Sequence, residues 1–397
     1  MHTPQTRWLP LILAALSAIG PFSVDTYLPA FHAMSAELGA TQVELQQTMT
    51  VYMASFAVMV LWHGSLSDQF GRRPILIVTT LLYALASVIC VLAPSVEWLW
   101  VGRCLQGLSA GAGMVVGRAV IIDLYAGAQA QKMMAQVMLI FGIAPAIAPL
   151  VGGVLLDLFG WRSIFVFLTL FGFALAWLCW RVLPETLVAE ARRPFAPRAL
   201  AHAYREVLTH PAFMLLSVGM SALFIGYFLY VVSSPVFIRE HLGMDSPYAM
   251  VVLFMPAVIC MMIGSALSGR LAGRWNARRT IATGLVIMAA ASVVEIALAA
   301  SSLPRLWLLA PISLYNLGVA LVMPTLSLIA LSLFPERRGL ASSCQAFVQV
   351  SGNAVVAAVA PFLWGTSVSL ALSAGACYLF ALLMLGVWAR RSRVAPK

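Results

Sequence analysis

The stretch GSLSDQFGRRP, Gly64 to Pro74, separates two long apolar runs and holds an acid, two arginines and two glycines. Glycine adopts backbone conformations that other residues avoid, so the glycines predict a sharp turn. Charges of both signs, Asp68 beside Arg72, place this turn at a water-facing surface, where a carboxylate and a guanidinium form strong hydrogen bonds. The stretch therefore predicts a tight connection between two helices that cross an apolar medium.

The composition of the whole chain points to a membrane protein. Of its 397 residues, 62% are hydrophobic and 10% are charged, and the mean hydropathy is +0.94. Soluble domains use about 45–50% apolar and about 25% charged residues. Inside lipid the backbone must satisfy its own hydrogen bonds, which leaves helices or a closed barrel. Because barrel strands alternate in hydropathy and these runs do not, we expect an all-α membrane protein.

Twelve apolar runs fall into two sets of six. A hydrocarbon core of about 30 Å is crossed by about 20 helical residues, and each run reaches about that length. The long polar stretch after the sixth run carries several arginines and predicts a linker at 184–211 between one bundle at 1–183 and another at 212–397. The runs lie at about 8–29, 44–65, 75–93, 97–121, 133–156, 162–182, 212–236, 247–270, 280–300, 305–333, 340–363 and 367–389.

The basic residues, which give a formal net charge of +10, predict the orientation of the chain. If the N-terminus is cytoplasmic, the outer segments hold only Arg162, Arg239 and Arg305, and the inner segments hold most of the others. Cytoplasmic loops of membrane proteins carry such an excess of Lys and Arg, so both termini are expected inside the cell. The basic residues form no patch with interleaved aromatics, which argues against binding of nucleic acid.

A sequence repeat supports the division into two bundles. The segment ALSGRLAGRW, Ala266 to Trp275, follows the eighth run as GSLSDQFGRR follows the second, with Arg270 in place of Asp68. Duplicated halves around a central substrate site are typical of transporters. The chain has no HExxH, GxSxG or Walker motif, its six cysteines lie in apolar runs without CxxC spacing, and its histidines lack ligand spacing. We therefore expect no enzyme activity, no cofactor, no metal site and no disulfide.

Two ionisable groups stand out inside apolar runs. At about 1.5 Å per residue, Asp25 in the first helix and Arg103 in the fourth fall at similar depths, so a carboxyl and a guanidinium are expected near each other. Charges inside a membrane helix are costly and mark function by default. The plainer alternatives are an arginine that snorkels to the interface and an acid at an outer helix end, just before Pro29.

The pattern GxxxDxxGRRx, carried by Gly64, Asp68, Gly71 and Arg72, resembles motif A of the major facilitator superfamily. The resemblance implies the fold of that family, with 12 transmembrane helices in two six-helix bundles. It also implies a cytoplasmic latch in the outward-open state. In that latch Asp68 caps the start of the eleventh helix near Gly339 and Leu340, and Arg72 pairs with Asp123 at the inner end of the fourth.

Two further segments narrow the resemblance. The fifth helix resembles the antiporter motif of this superfamily, with Ala148 where glycine is usual, and the first helix resembles the D-x-Y-L-P segment of the Bcr/CflA group of drug:proton antiporters. The latter implies that Asp25 takes part in binding protons and substrate. The fourth helix, from Arg103 to Gly107, resembles the RxxxG motif B of the superfamily, which implies that Arg103 is its buried base. The matching residues of the antiporter motif are Pro145, Pro149, Gly152 and Gly153.

Polar and aromatic residues of the first, fourth, seventh and tenth helices are expected to line a central cavity, because aromatic surfaces bind varied apolar solutes by shape. For the helix 7 tyrosines, lipid-facing or packing roles are equally open. Glu295, near the outer end of the ninth helix, is expected to be structural. The expected cavity residues are Tyr27, Arg118, Phe224, Tyr227, Tyr230 and Asn316.

Together these features predict an exporter in the bacterial inner membrane that exchanges protons for small, largely apolar drugs by alternating access. A monomer with both ends in the cytoplasm is expected, with protons, a small solute and the lipid bilayer as its partners. The alternative is an exporter or symporter of a natural metabolite such as a nucleoside.

Overall fold

The computed structural model describes residues 9–125, 127–188, 192, 197–272 and 274–394. These residues form helices almost throughout. In chain order the helices are α1 (Leu9–Asp25), α2 (Phe31–Leu38), α3 (Gln42–Phe70), α4 (Arg72–Val91), α5 (Val96–Ala110), α6 (Ala112–Leu124), α7 (Gly127–Phe159), α8 (Arg162–Val182), α9 (Pro197–Leu208), α10 (Pro211–Val236), α11 (Met250–Leu271), α12 (Ala277–Ala300), α13 (Leu309–Ser332), α14 (Arg338–Val359) and α15 (Ser367–Val394).

Within the described residues, twelve helical segments are long and apolar enough to span a membrane. The predicted all-α membrane fold with twelve spans is therefore confirmed. The chain forms two compact units, residues 1–197 and 198–397. The stretch predicted as a linker, 184–211, contains the helix α9, whose Tyr204 and Val207 are buried.

The first span is longer than predicted, because the chain continues as a second helix after a break. α1 ends at Asp25, a short 3₁₀ turn follows at Leu28–Ala30, and α2 then runs to Leu38. Pro29 has no N–H to donate and favours such an irregular turn. Tyr27, at the break, is fully buried. The break thus ends α1 at Asp25, the acid expected to couple protons. It also directs the side chain of Tyr27 into the core of the first unit.

Close backbone contacts position α5, the helix that carries Arg103. α5 packs against α3 and α4, and α1 packs against α7. A Cβ at Gly107 of α5 would overlap the backbone carbonyl of Tyr52 in α3, so only glycine allows this approach. The fourth span is divided at Gly111 into α5 and α6. Gly107, the glycine of the RxxxG segment, therefore brings α5 against α3 one turn from Arg103.

The second unit is built around α13 and α10. α13 packs against α11 and α12, and α10 packs against α14 and α15. Two of its buried tyrosines bond to backbone carbonyls of neighbouring helices: Tyr315 donates to the carbonyl of Leu223 (3.0 Å) and Tyr378 to that of Leu285 (2.8 Å). Because no water reaches such sites in lipid, these bonds satisfy hydroxyls that are costly to leave unpaired.

The antiporter motif lies in α7, where it contacts the break after α1. Pro145 and Pro149 both lie inside the helix. Gly152, one turn further on, is buried, and a Cβ there would overlap the carbonyl oxygen of Thr26. The glycine of this motif therefore has a packing function in this structure, because it lets α7 touch the backbone next to Asp25.

This contact predicts a stability difference between two glycine substitutions. Gly152→Ala should lower the free energy of unfolding by about 1–3 kcal/mol, because the added methyl group overpacks against backbone that cannot rotate away. Gly386→Ala is the matched control, since Gly386 of α15 is exposed and has open space around it. The measurement is thermal unfolding of the purified protein in detergent. Equal melting temperatures for the two variants would contradict the packing assignment.

Candidate functional site

Arg72 joins two acids at the turn between α3 and α4. Its Nε donates to Asp123 Oδ2 at 3.1 Å, and its Nη1 donates to Asp68 Oδ1 at 2.5 Å and to Ser67 Oγ at 2.6 Å. The side chain of Arg72 is 10% exposed, against 44% for Asp68. The ion pair expected between Arg72 and Asp123 is present within the first unit, and Arg72 holds Asp68 in the same cluster.

Glu185 and Thr186, both after α8 in the chain, complete this cluster, and neither was predicted as part of it. Glu185 Oε1 accepts the backbone N–H of Arg72 at 3.0 Å, and Thr186 donates to Asp123 Oδ2 at 2.9 Å. Gly71 has φ of 101°, a conformation suited to glycine, and a Cβ there would overlap the Glu185 carboxylate. The polar segment Pro184 to Thr186, which follows the sixth run, was the available signal for this third acid.

Arg103 occupies the centre of the first unit. It is fully buried, and its Nη1 donates to the backbone carbonyl of Ser23 and to Gln106 Oε1, both at 2.8 Å. Its guanidinium lies over the rings of Tyr27 and Tyr52, 4.5 Å and 4.3 Å from their centroids. Cation–π contacts of this kind are strongest when water is excluded, so the two rings take the place of a counter-ion.

A chain of hydrogen bonds fixes the groups around Arg103. Gln106 donates to Ser87 Oγ at 2.7 Å, and Ser23 shares a 2.6 Å bond with the Tyr83 hydroxyl. Tyr27 and Thr48 are joined at 3.1 Å. The Nε and Nη2 atoms of Arg103 have no hydrogen-bond partner in the part of the chain that the structure describes. The guanidinium is thus held in place while part of its donor capacity stays unused.

Asp25 lies two residues beyond the carbonyl that Arg103 binds, and it is only 5% exposed. None of the ion pairs among the described residues includes Asp25 or Arg103. The structure therefore brings the guanidinium to the end of α1 without pairing it with the carboxyl. The acid is left without a bound cation, and the arginine retains two donor groups.

The cavity residues expected in the second unit are mostly engaged with neighbouring helices. Asn316 of α13 donates to the carbonyl of Ala257 in α11 at 2.9 Å, and so links two helices. Tyr230 donates to Glu295 Oε1 at 2.5 Å. Phe224 stacks on Phe228 with ring centroids 5.8 Å apart, and Tyr227 is buried beside it.

In the first unit, Tyr27 is covered by Arg103. Arg118 of α6 is half-buried and makes no ion pair with any described residue.

All six cysteines are free. No group of three or more His, Cys, Asp or Glu side chains in the described ranges is arranged to hold a metal ion.

The two rings around Arg103 predict a contrast at one position. Tyr52→Leu should lower the free energy of unfolding by about 2 kcal/mol, because it removes the face that Arg103 contacts. Tyr52→Phe should leave stability nearly unchanged, since the Tyr52 hydroxyl makes no hydrogen bond to the described residues. Thermal unfolding in detergent measures both, and similar losses for the two variants would show that the hydroxyl matters and not the ring.

Comparison with known proteins agrees with this architecture. The Major Facilitator Superfamily model matches residues 12–360. The chain is 29% identical over 336 residues to "Multidrug resistance protein MdtL" of Shewanella sp. (strain ANA-3), covering 84% of each chain. It is 27% identical over 392 residues to a "Bicyclomycin resistance protein homolog" of Haemophilus influenzae, covering 94% of each.

Among solved structures, a bacterial homologue of the human lysosomal transporter Spinster, in an inward-facing and occupied conformation, has the same fold. Its TM-score is 0.77 at 16% identity, with 100% of this chain and 98% of that chain covered. The family match over nearly the whole chain carries the assignment, and the structural likeness supports the fold. This multi-pass membrane protein therefore belongs to the Major Facilitator Superfamily, a family of transporters.

Proposed function

We propose that this transporter exports small, largely apolar drugs across the bacterial inner membrane in exchange for protons. The observation that carries the proposal is the buried acid Asp25, two residues beyond the carbonyl bound by Arg103, an arginine with two donor groups unused among the described residues. The named resistance proteins among its relatives support drugs as substrates. The protein would work as a monomer, with both termini in the cytoplasm.

The proposed coupling follows from the cost of a charge in a buried site. A carboxylate at Asp25 is favoured when a cationic group or a hydrogen-bond donor is near, and is disfavoured when neither is available. Its affinity for a proton therefore depends on whether a solute occupies the site, and by linkage the proton changes the affinity for the solute to the same degree. Competition between a proton and a solute for one site produces exchange.

Arg103 would set the balance of that competition. Its Nε and Nη2 atoms are oriented by bonds from Nη1 to Ser23 and Gln106, so they are available to a carbonyl or hydroxyl of a solute, or to the ionised Asp25. Charge-assisted hydrogen bonds of this kind are stronger than those between neutral groups. The fixed guanidinium would therefore limit how tightly Asp25 holds a proton, so that a solute that donates to the carboxylate can displace it.

The cluster around Arg72 would act as the conformational latch. In an outward-open state, Asp68 would contact the first turn of α14 near Gly339 and Leu340, where helix-end amides favour an anion. Arg72 and Asp123 would hold Asp68 in position through the bonds described within the first unit. Each cycle would break and remake the contact between Asp68 and α14.

Proton coupling predicts the behaviour of one isosteric variant. Asp25→Asn should abolish uptake of bicyclomycin and chloramphenicol that is driven by an imposed pH gradient in everted vesicles, because an amide cannot titrate. The protein should still fold, as judged by its size-exclusion profile. Asp157→Asn, at an exposed acid of α7, is the control that should keep wild-type uptake. Near wild-type accumulation by Asp25→Asn would show that another group carries the proton.

The direction of pH-driven movement separates export from its alternative. Everted vesicles acidified inside should accumulate the drugs if the protein exchanges them for protons. Movement of a nucleoside together with protons, with no drug uptake, would favour a metabolite symporter instead.

The latch predicts a difference between two neighbouring arginines. Arg72→Lys should lower the rate of drug uptake about tenfold, because lysine cannot bridge two acids as a guanidinium does and the loss of such bonds costs about 1.5 kcal/mol. Arg73→Lys is the matched control, since Arg73 bonds to the carbonyl of Trp180 and to neither acid. Initial rates at equal expression are compared, and equal rates for the two variants would remove the latch assignment from Arg72.

A further inference from the structure

Glu295 is a second buried acid, and it lies in the second unit. It is on α12, five residues before the helix ends at Ala300, and is only 2% exposed. An acid near a helix end is expected to turn toward the membrane surface. This one turns inward, where transfer of an ionised carboxylate from water is costly unless it is well paired.

The hydrogen-bonding partner of Glu295 comes from another helix. The Tyr230 hydroxyl of α10 donates to Glu295 Oε1 at 2.5 Å, and Tyr230 is itself 1% exposed. Phe237 covers one side of Tyr230, and the two rings are in edge-to-face contact with their centroids 5.2 Å apart. None of the ion pairs in the described ranges includes Glu295. One hydroxyl therefore takes the place of the cation that an ionised carboxylate would need.

The other ionisable groups on the helices packed against α12 supply no counter-charge. Tyr315 of α13 donates to the carbonyl of Leu223, and Tyr378 of α15 donates to that of Leu285. Cys377 of α15 is a free thiol. Arg305, in the turn after α12, donates through Nη1 to the carbonyls of Leu298 and Ala299 at the end of that helix and of Ser301 just beyond it. Its charge thus stabilises the end of the helix.

Further buried hydroxyls without hydrogen-bond partners among the described residues lie one turn from Glu295 in α12 and one turn from Tyr230 in α10. Ser292 precedes Glu295 by one turn of α12, and Ser233 follows Tyr230 by one turn of α10. Both hydroxyls are buried and have no hydrogen-bond partner within the described part of the chain. Buried hydroxyls without partners are uncommon and call for an explanation. They extend the polar line beyond the acid in an otherwise apolar unit.

We propose that Glu295 is a second proton-binding site of this transporter, protonated when it is bonded to Tyr230 and deprotonated at another step of the transport cycle. The proton lies on Oε2 while Oε1 accepts from the tyrosine. Release requires that a further donor, from water or a solute, reaches the carboxylate while the Tyr230 hydroxyl still donates to Oε1, because hydrogen bonds to the ionised form stabilise it. The proposal rests on the proposed proton-coupled function and adds a second proton to it, one bound in each unit.

Infrared difference spectroscopy tests the protonation of Glu295 without any substrate. Spectra of purified protein recorded between two pH values should contain the C=O stretching band of a buried carboxylic acid. Glu295→Gln should remove this band, and Glu240→Gln, at an exposed acid beyond α10, should retain it. Tyr230→Phe should shift the band to higher frequency, because the bond to Oε1 is gone. A full band in Glu295→Gln, or an unshifted one in Tyr230→Phe, would overturn the proposal.

The number of protons exchanged gives the second test. In proteoliposomes with the membrane potential clamped at zero, removing one proton from the exchange lowers the limiting accumulation of bicyclomycin about tenfold per pH unit, which corresponds to about 1.4 kcal/mol. Glu295→Gln should show this loss and Glu240→Gln should not. Unchanged accumulation by Glu295→Gln would make Glu295 a structural acid.

The two tests also separate this proposal from the proposed function. If bicyclomycin is not transported at all, the proposed substrate class fails, and the infrared band still decides whether Glu295 binds a proton. If Glu295→Gln does not purify, the shift in Tyr230→Phe decides the same question.

Discussion

The burial of Arg103 between two tyrosine rings is the constraint on which the arrangement of the first unit depends. The hydrogen bonds of a guanidinium inside a membrane bundle must be made to the protein, because lipid tails have no hydrogen-bond acceptors. The rings of Tyr27 and Tyr52, the carbonyl of Ser23 and the amide of Gln106 supply that environment. Tyr27 can contribute because the chain breaks after Asp25, and α5 can approach α3 because position 107 is glycine.

The two arginines of this unit differ in how completely they are paired, and the difference fits different tasks. Arg72 bonds to two acids and a serine, so it holds a fixed geometry at the end of the helices. Arg103 has no acid partner and keeps two donor groups without a bond in the described part of the chain. A guanidinium whose donors are all bonded stabilises one conformation, whereas a guanidinium with unused donors can bond to a group that enters its site.

The fold and the cluster at Gly64 to Pro74 could be predicted from sequence, because hydropathy and a specific motif report them directly. The sequence located Asp25 and Arg103, but it expected an acid and a base near each other without foreseeing the tyrosines that bind the guanidinium. Such contacts depend on how helices distant in sequence pack, and Tyr52 carries no local signal for them. Asn316 illustrates the same limit: its polarity was visible, but whether its amide met a solute or the carbonyl of Ala257 depended on the neighbouring helix.

Glu295 shows most clearly why position along a helix is not sufficient evidence for a role. Its place near the helix end suggested a structural role, while its direction around the helix axis, set by packing, turns it toward Tyr230. Among the described residues, each unit thus has a buried carboxyl without a paired cation, Asp25 in the first and Glu295 in the second. An isolated buried carboxyl is more stable with its proton than without it, so under the proposed coupling each site would release its proton only when a donor or a cation arrives.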